Sequence, residues 1–296
     1  MNITQICFAV STIVIWGLGF VVYKHDLATV PPWFLAFLTV SFAAIPCIWV
    51  KRPPVPRWQI LLGGMTLLVG QFGLTFLAIS YGLPIVLVAA TVQSQMFFTI
   101  ILTAYFVRQM PSHLVIAGEI FGVIGLGMIG HSLMQADCSV PSGSHPFLGF
   151  CLSLAAGLCW AIGNITVIRM GQVKATASLV WMSLYAILPL AVLSIVFDGT
   201  AAIFTVFDEM DSKLLLSILY GAVAVTLLSF GIWSKILQRY SLAIMSCFSF
   251  FVLAMALFAA TYMLGEGMTD MQMIGVAAIM VGMLMIVINP RFVRQS

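Results

Sequence analysis

The sequence predicts an all-α integral membrane protein with ten transmembrane helices, arranged as two inverted five-helix repeats. Three observations carry this prediction: an extreme apolar composition, ten long apolar segments, and short motifs that recur in the same order. Of the 296 residues, 62% are hydrophobic and 7% are charged, whereas soluble domains contain about 45–50% apolar and about 25% charged residues. A soluble core does not need this much apolar surface, so the chain falls among membrane proteins.

The apolar segments have the length that a bilayer requires. A spanning helix needs about 20 mostly apolar residues, and backbone groups in lipid must be satisfied within the segment, which favours helices. We therefore predict spans at residues 5–23, 33–50, 60–81, 84–106, 113–133, 147–168, 176–197, 214–234, 242–263 and 272–289.

The basic residues fall mostly on one side of this arrangement. If both termini are cytoplasmic, ten of the twelve Lys and Arg residues lie on the inner side, and only Lys24 and Lys213 lie outside. The positive-inside rule predicts this bias, so we expect cytoplasmic termini. The net charge of +3 is then a topology signal and gives no indication of nucleic-acid binding.

The two halves of the chain echo each other, which predicts repeats at residues 1–134 and 146–290. The matching pairs, in chain order, are Trp16-Gly17 with Trp160-Ala161, Pro46 with Pro189, Phe72-Gly73 with Phe230-Gly231, Tyr81 with Tyr240, and Gly118 and Gly125 with Gly275 and Gly282. A repeat of five spans is odd in number, so the second repeat must enter the membrane inverted. Inverted repeats are typical of secondary transporters, whose binding site lies near the midplane between the halves.

Two prolines and one acid inside predicted spans are candidates for mechanical or coupling roles. Pro46 and Pro189 should kink the second and seventh spans, which makes them candidate hinges; tolerated kinks without a hinge role are the alternative. Glu119 is the one acidic residue within a span and is a candidate for proton coupling. Because it lies near the cytoplasmic end, a local structural role is its alternative.

Two glutamines, Gln93 and Gln95, lie in the middle of the fourth span, where lipid would favour apolar side chains. A helix turns by about 100° per residue, so the two side chains should point about 200° apart. Both are candidate substrate-binding residues, but we expect Gln95 to line the cavity and Gln93 to hydrogen-bond a neighbouring helix. Interhelical bonding by both glutamines remains the alternative.

Aromatic residues at matching places predict the walls of a pocket. Trp16 lies in the first span and Trp160 in the sixth, and Asn164 follows Trp160 by four residues and so shares its helix face. Aromatic walls with a few converging polar groups are the usual make-up of a small-molecule site. Trp16, Trp160 and Asn164 are therefore predicted to bind substrate, with ordinary helix packing as the alternative.

Several longer motifs resemble a known family. The matching pieces are WGLGF, VPPWFLA, GQFGLTFLAISYGLP, VQSQMFFTI, CWAIGNI, FGIWSKILQRY and MIGVAAIMVGM. Over nearly its whole length the chain resembles the EamA-type transporters of the drug/metabolite transporter superfamily. The resemblance implies a ten-helix fold of two EamA repeats in the bacterial inner membrane, and export of small metabolites, with cysteine-pathway amino acids such as O-acetylserine and cysteine as the leading class.

The chain departs from the family pattern at three places. Thr39 stands where the family usually carries Arg in the second span, Gln109 falls in an altered Gly-Glu-Arg motif after the fourth span, and Gly267 replaces the Arg that follows Glu266. These departures bear on the substrate and on the coupling mechanism, while the fold is expected to be unchanged.

The expected function is secondary export by alternating access, driven by a proton gradient. The sequence contains no Walker A motif, so ATP is not expected as the direct energy source. The cysteines lack metal-ligand spacing, and no cofactor, metal or catalytic residue is predicted. Carriers of toxic compounds, polyols or nucleotide-linked substrates, a membrane-embedded transferase and a channel are the alternatives.

Overall fold

The computed structural model describes residues 3–107, 111–136, 144–239 and 242–288, and every regular element in these ranges is helical. The helices of the first half are α1 (Ile3–Asp26), α2 (Pro32–Ala44), α3 (Arg57–Ser80), α4 (Ile85–Val92 continued by Gln95–Val107) and α5 (His113–Ala136). Those of the second half are α6 (Pro146–Arg169), α7 (Ala175–Asp198), α8 (Ser212–Ile236), α9 (Leu242–Leu264) and α10 (Asp270–Val287).

Each predicted span overlaps one of these helices. By length and composition, seven helices within the described residues can cross a membrane, and two further apolar helices, Pro32–Ile48 and Phe248–Leu264, are shorter. A short helix, Thr200–Asp208, joins α7 to α8. The chain is therefore a multi-pass, all-α bundle.

The third helix of each half contains a π-helical stretch at a matching place. The stretch Gly64–Gly70 lies in α3, and Tyr220–Ser229 lies in α8. Each ends directly before or within one residue of the echoed Phe-Gly pairs, Phe72-Gly73 and Phe230-Gly231. Such wide turns in helices occur frequently at functional sites. The echo found in the sequence thus has a counterpart in the backbone.

Four glycines allow α5 and α10 to pack with their backbones in close approach. A Cβ added at Gly118 would lie 2.6 Å from Gly282 O, and one added at Gly125 would lie 2.4 Å from Gly275 O. In the reverse direction, a Cβ added at Gly282 would lie 2.4 Å from Gly118 O, and one added at Gly275 would lie 2.8 Å from Gly125 O. Small residues enable close packing of membrane helices, so these glycines fix the antiparallel register of α5 and α10.

Replacing Gly282 by leucine is expected to disrupt this helix pair. The new side chain would collide with the Gly118 carbonyl oxygen, which belongs to the backbone and cannot rotate away. We expect the variant to lose its monodisperse size-exclusion peak at a lower temperature than the parent protein. Gly127→Leu is the matched control, because a Cβ at Gly127 meets nothing within 4 Å. Equal stability of the two variants would contradict the packing role.

Contacts between helix ends gather acidic side chains at one end of the bundle. Asp26 Oδ1 accepts a hydrogen bond from Ser217 Oγ at 2.8 Å, joining the end of α1 to the start of α8. Asp198 Oδ2 accepts from the Phe34 N–H at 2.7 Å, joining α7 to α2. Glu266 also lies here, and we call this side the acidic end. It is the side that the charge pattern predicts to be outside.

Candidate functional site

A cavity lies between helices of the two halves. It contains about 530 Å³ of space not filled by atoms, including space open to solvent. Helices α1, α3 and α4 of the first half and α6, α8 and α9 of the second contribute its lining. The described lining residues are Trp16, Phe20, Tyr23, Gln71, Phe72, Thr75, Phe76, Ala89, Val92, Gln93, Trp160, Val225, Phe230, Val252 and Leu253.

Aromatic rings pack into one cluster at this cavity. The Trp16 ring is 5.3 Å from Trp160, 5.0 Å from Phe230 and 5.4 Å from Trp233, in edge-on or steeply tilted arrangements. Such arrangements are the favoured geometry for aromatic pairs. The matching motifs WGLGF and CWAIGNI therefore supply one tryptophan each to a single cluster, which holds α1, α6 and α8 together.

Six buried polar atoms among the described lining residues have no hydrogen-bond partner in the protein. They are Trp16 Nε1, Tyr23 OH, Gln71 Oε1, Thr75 Oγ1, Gln93 Oε1 and Trp160 Nε1. A buried polar group without a partner costs about 1–3 kcal/mol, so native proteins rarely leave one unpaired. Six around one space indicate a site that is completed by water or by a bound molecule.

The described lining of the cavity carries no formal charge. None of its described lining residues is Asp, Glu, Lys, Arg or His. The unpaired atoms include two indole donors, Trp16 Nε1 and Trp160 Nε1, and two amide acceptors, Gln71 Oε1 and Gln93 Oε1, while the hydroxyls of Tyr23 and Thr75 can do both. The arrangement suits a molecule that both donates and accepts hydrogen bonds.

The fourth helix is interrupted at the cavity. Residues 93 and 94 form a turn between Ile85–Val92 and Gln95–Val107. Ser94 N–H bonds the Thr91 carbonyl at 3.0 Å, and Met96 N–H bonds the Gln93 carbonyl at 3.1 Å, so both bonds reach back three residues instead of four. Gly157 of α6 allows this turn to pack closely, since an added Cβ would lie 2.5 Å from Ser94 Oγ.

The two glutamines at this interruption have different contacts. Gln93 lines the cavity: its Nε2 donates to the Ser249 carbonyl at 2.7 Å, and its Oε1 is left unpaired. Gln95 lies away from the cavity, where its Nε2 donates to Ser249 Oγ at 3.2 Å and its Oε1 accepts from Asn164 Nδ2 at 2.8 Å. Trp233 Nε1 completes this chain by donating to Asn164 Oδ1 at 3.0 Å.

A pair of interactions closes the bundle at the acidic end. The Lys24 ammonium at the end of α1 forms a salt bridge with Glu266, whose side chain is 9% exposed. The second carboxylate oxygen of Glu266 accepts a hydrogen bond from the Val86 N–H at 3.1 Å. A carboxylate at the first turn of α4 interacts favourably with the helix dipole. Glu266 thus connects α1, α4 and the segment between α9 and α10.

Comparison with known proteins agrees with this architecture. A family model described as "EamA-like transporter family" matches residues 3–130 and 147–288. The chain belongs to the EamA-like transporter family. The two matched ranges are two EamA repeats, so the lining helices α1, α3 and α4 come from one repeat of this EamA-like transporter and α6, α8 and α9 from the other.

Two relatives of this EamA-like transporter carry the name "Probable amino-acid metabolite efflux pump". The protein from Salmonella typhimurium strain LT2 is 35% identical over 293 residues, covering 97% of this chain and 96% of the relative. The protein from Escherichia coli strain K12 is 36% identical over 282 residues, covering 93% and 92%. One solved crystal structure superposes with a TM-score of 0.66 at 14% identity, covering 100% of both chains, and this likeness shows the shared fold alone.

The structure brings some of the predicted site residues of this EamA-like transporter together. Trp16 and Trp160 both line the cavity. The expected division between Gln95 and Gln93 is reversed: Gln93 lines the cavity, and Gln95 bonds Ser249 and Asn164. Asn164 bonds Gln95 and Trp233 and does not line the cavity. Sequence reasoning missed Tyr23, Gln71 and Thr75, although Gln71 stands in the quoted motif GQFGLT.

The remaining candidates lie elsewhere in this EamA-like transporter. Pro46 falls in a single turn of 3-10 helix, Ile45–Ile48, that ends the second span, and therefore does not kink a helix interior as expected. Pro189 is inside α7. Glu119 lies in α5, and neither of its carboxylate oxygens has a partner among the described residues. Thr39 is fully buried with an unpaired hydroxyl, and Gln109 lies outside the described residues.

Proposed function

We propose that this transporter exports a small, net-neutral amino-acid metabolite across the bacterial inner membrane, by alternating access driven by a proton gradient. The observation that carries the proposal is the uncharged, aromatic cavity between the repeats with its six unpaired polar atoms. The names of the two relatives support the same substrate class, with O-acetylserine and cysteine as the leading candidates.

A zwitterion fits the chemistry of the cavity. The indole N–H groups of Trp16 and Trp160 can donate to a carboxylate, and the amide oxygens of Gln71 and Gln93 can accept from an ammonium. Hydrogen bonds to charged groups contribute about 1.5–3 kcal/mol each. A substrate with a net charge would leave that charge without a counter-ion, which costs several kcal/mol in a dry site. The cavity thus favours neutral amino acids over cationic or anionic ones.

Alternating access is proposed from the relation between the repeats. We propose ten spans, with inverted repeats at residues 1–134 and 146–290 and both termini in the cytoplasm, so that the acidic end faces outward. Gly118 corresponds to Gly275 in the repeats, and Gly125 corresponds to Gly282. The contact between Gly118 and Gly282 therefore has an equivalent between Gly275 and Gly125, and that contact is also present. Reciprocal contacts of this kind are expected around a two-fold axis in the membrane plane. Rocking one repeat against the other would open the cavity to each side in turn, with Pro189 inside α7 as a candidate hinge.

In this function the protein carries out no chemical reaction, and it interacts with the substrate and with the lipid bilayer. Counterflow in proteoliposomes tests it: vesicles loaded with unlabelled O-acetylserine should take up labelled O-acetylserine faster than empty vesicles. Neutral amino acids should compete at concentrations at least tenfold below those of lysine or glutamate, because an unpaired net charge is poorly solvated there. Equal competition by lysine would contradict the zwitterion argument, and no flux of any amino-acid metabolite would refute the function.

A further inference from the structure

A second cavity opens at the acidic end, between the end of α1 and the start of α8. It contains about 1070 Å³, including space open to solvent. Its described lining carries the carboxylates of Asp26, Glu209 and Asp211, together with the ammonium of Lys213 and the imidazole of His25. Glu209, Asp211 and Lys213 are exposed, so water and salt screen them. We call this space the acidic vestibule.

Asp26 differs from the other carboxylates of the acidic vestibule because it is buried. The residue is 2% exposed, and its Oδ2 has no hydrogen-bond partner among the described residues. It lies three residues beyond the predicted span 5–23. Burial raises the pKa of the Asp26 carboxyl above its usual value of 3.8, while the hydrogen bond from Ser217 and the nearby His25 oppose the rise. Burial favours the neutral, protonated form of a carboxyl group.

The same helix carries a polar group into the substrate cavity. Tyr23 precedes Asp26 by three residues, so the two lie on one face of α1. The Tyr23 hydroxyl is buried, unpaired and part of the substrate cavity, while Asp26 lines the acidic vestibule. One helical turn of α1 therefore separates the buried Asp26 carboxyl, beside the acidic vestibule, from the Tyr23 hydroxyl, which can donate and accept a proton.

The other charged or titratable groups around Asp26 are either paired with another group or exposed to solvent. On α1, Lys24 is paired with Glu266, and the His25 side chain is 87% exposed with Nδ1 3.9 Å from Asp26 Oδ1. On α8, Tyr220 donates its hydroxyl hydrogen to the Ile15 carbonyl at 2.6 Å. The exposed groups facing it from α8 and the preceding segment are Glu209, Asp211 and Lys213. Asp211 is engaged as the cap of α8, where it accepts from the Leu214 N–H.

We propose that Asp26 is the proton-exchange group of this transporter. It takes up a proton from the acidic-end solution through the vestibule and carries it as a neutral carboxyl while buried. It releases the proton when the cavity opens to the opposite side, past Tyr23. The inference rests on the proposed export function and gives its coupling a residue, in place of Glu119, whose helix does not line the substrate cavity.

Asp26→Asn separates proton coupling from transport, because the amide oxygen can still accept from Ser217. A pH step of one unit stores about 1.4 kcal/mol per proton, which corresponds to about a tenfold concentration ratio. With one proton exchanged per substrate, wild-type vesicles should concentrate O-acetylserine about tenfold, whereas Asp26→Asn vesicles should only equilibrate it. Counterflow at equal pH should be retained by the variant. Glu209→Gln, the matched control in the same vestibule, should concentrate substrate like the wild type.

A second measurement needs no transport. Because folding raises the pKa of Asp26, the contribution of Asp26 to stability is fully present below its unfolded-state pKa and is lost as pH rises through its folded-state pKa. Asparagine cannot ionise, so Asp26→Asn should melt at a higher temperature than the wild type at pH 7, and the difference should shrink towards pH 4. Melting curves in detergent across this range would measure it. Glu209→Gln should follow the wild-type curve.

The outcomes distinguish the two proposals. Absence of wild-type counterflow refutes the export function, and the melting curves then still test the titration of Asp26. Concentration of substrate by Asp26→Asn under a pH gradient overturns the assignment. It is also overturned if the pH gradient has no effect on wild-type transport, or if Asp26→Asn loses counterflow together with coupling. A difference in melting temperature between wild type and Asp26→Asn that does not change with pH overturns it as well. Loss of concentration alone, with counterflow and folding intact, supports it.

Discussion

Replacing Gln93 by leucine is expected to weaken substrate binding by about 10–100-fold while the protein still folds. The Gln93 amide oxygen is unpaired in the cavity and can accept from the ammonium of an amino acid. A hydrogen bond to a charged group contributes about 1.5–3 kcal/mol, and every 1.4 kcal/mol changes affinity about tenfold. The measurement is the concentration of O-acetylserine that gives half-maximal counterflow.

The Gln93 variant needs two comparisons, because Gln93 also donates to the Ser249 carbonyl. Melting temperatures will show how much stability that lost bond removes. Gln135→Leu replaces an exposed glutamine at the end of α5, outside the described lining of the cavity, and should leave half-maximal counterflow unchanged. If Gln93→Leu and Gln135→Leu transport alike, Gln93 does not contact the substrate.

The helices were predictable from sequence because lipid imposes a strong rule on composition. A segment such as Pro146–Arg169 must be apolar along its whole length, so hydropathy alone locates it. The tryptophan cluster was predictable for a different reason: WGLGF and CWAIGNI match between the repeats, and Trp16 and Trp160 occupy corresponding places. The sequence does not assign their partner Trp233, because a tryptophan near a span end is also typical of an interfacial anchor.

The glutamines show where a regular pattern fails. An angle of about 100° per residue predicts that the two side chains point apart, but it does not say which of them faces the cavity. The turn at residues 93 and 94 was not expected from the sequence either. The turn contains no proline or glycine that would have indicated it in the sequence. The glycine that gives the turn room to pack, Gly157, is in another helix. Pro46 failed for a related reason, because a proline two residues past Ala44 ends α2 as readily as it would bend a longer helix.

Tyr23, Gln71 and Thr75 were missed because nothing in their local sequence distinguishes them from other polar residues. Tyr23 stands next to Lys24, where an interfacial tyrosine is common, and Gln71 was read as part of a family motif. Their common property is a buried, unpaired polar atom on a residue that lines one cavity. That property depends on which helices meet, so it appears only once the fold is known.

Replacing Asn164 by alanine is expected to have the second large effect, on stability. Asn164 is 1% exposed and lies in the middle of a hydrogen-bond chain, accepting from Trp233 Nε1 and donating to Gln95 Oε1. Alanine leaves both partners buried and unpaired, at about 1–3 kcal/mol each in soluble proteins and about 0.6 kcal/mol on average between membrane helices. We therefore expect a loss of about 1–4 kcal/mol and a clearly lower melting temperature in detergent.

Thr166→Ala is the matched control for Asn164→Ala. Thr166 is buried on the same helix, and its hydroxyl bonds only the Ile162 carbonyl of α6 within the described contacts. Its loss should lower the melting temperature much less, because no partner on another helix is left unpaired.

Combining Asn164→Ala with Trp233→Phe isolates the hydrogen bond that the two residues share. Trp233→Phe removes the indole N–H that Asn164→Ala leaves unpaired, so the double variant should lose less stability than the sum of the two single losses. Additive losses would mean that the hydrogen bond between Trp233 and Asn164 does not stabilise the protein. A coupled loss would mean that this bond joins α8 to α6. The same cycle with Gln95→Leu in place of Trp233→Phe tests the bond that joins α6 to α4 of the other repeat, and coupling in both would make Asn164 the link between α4 and α8.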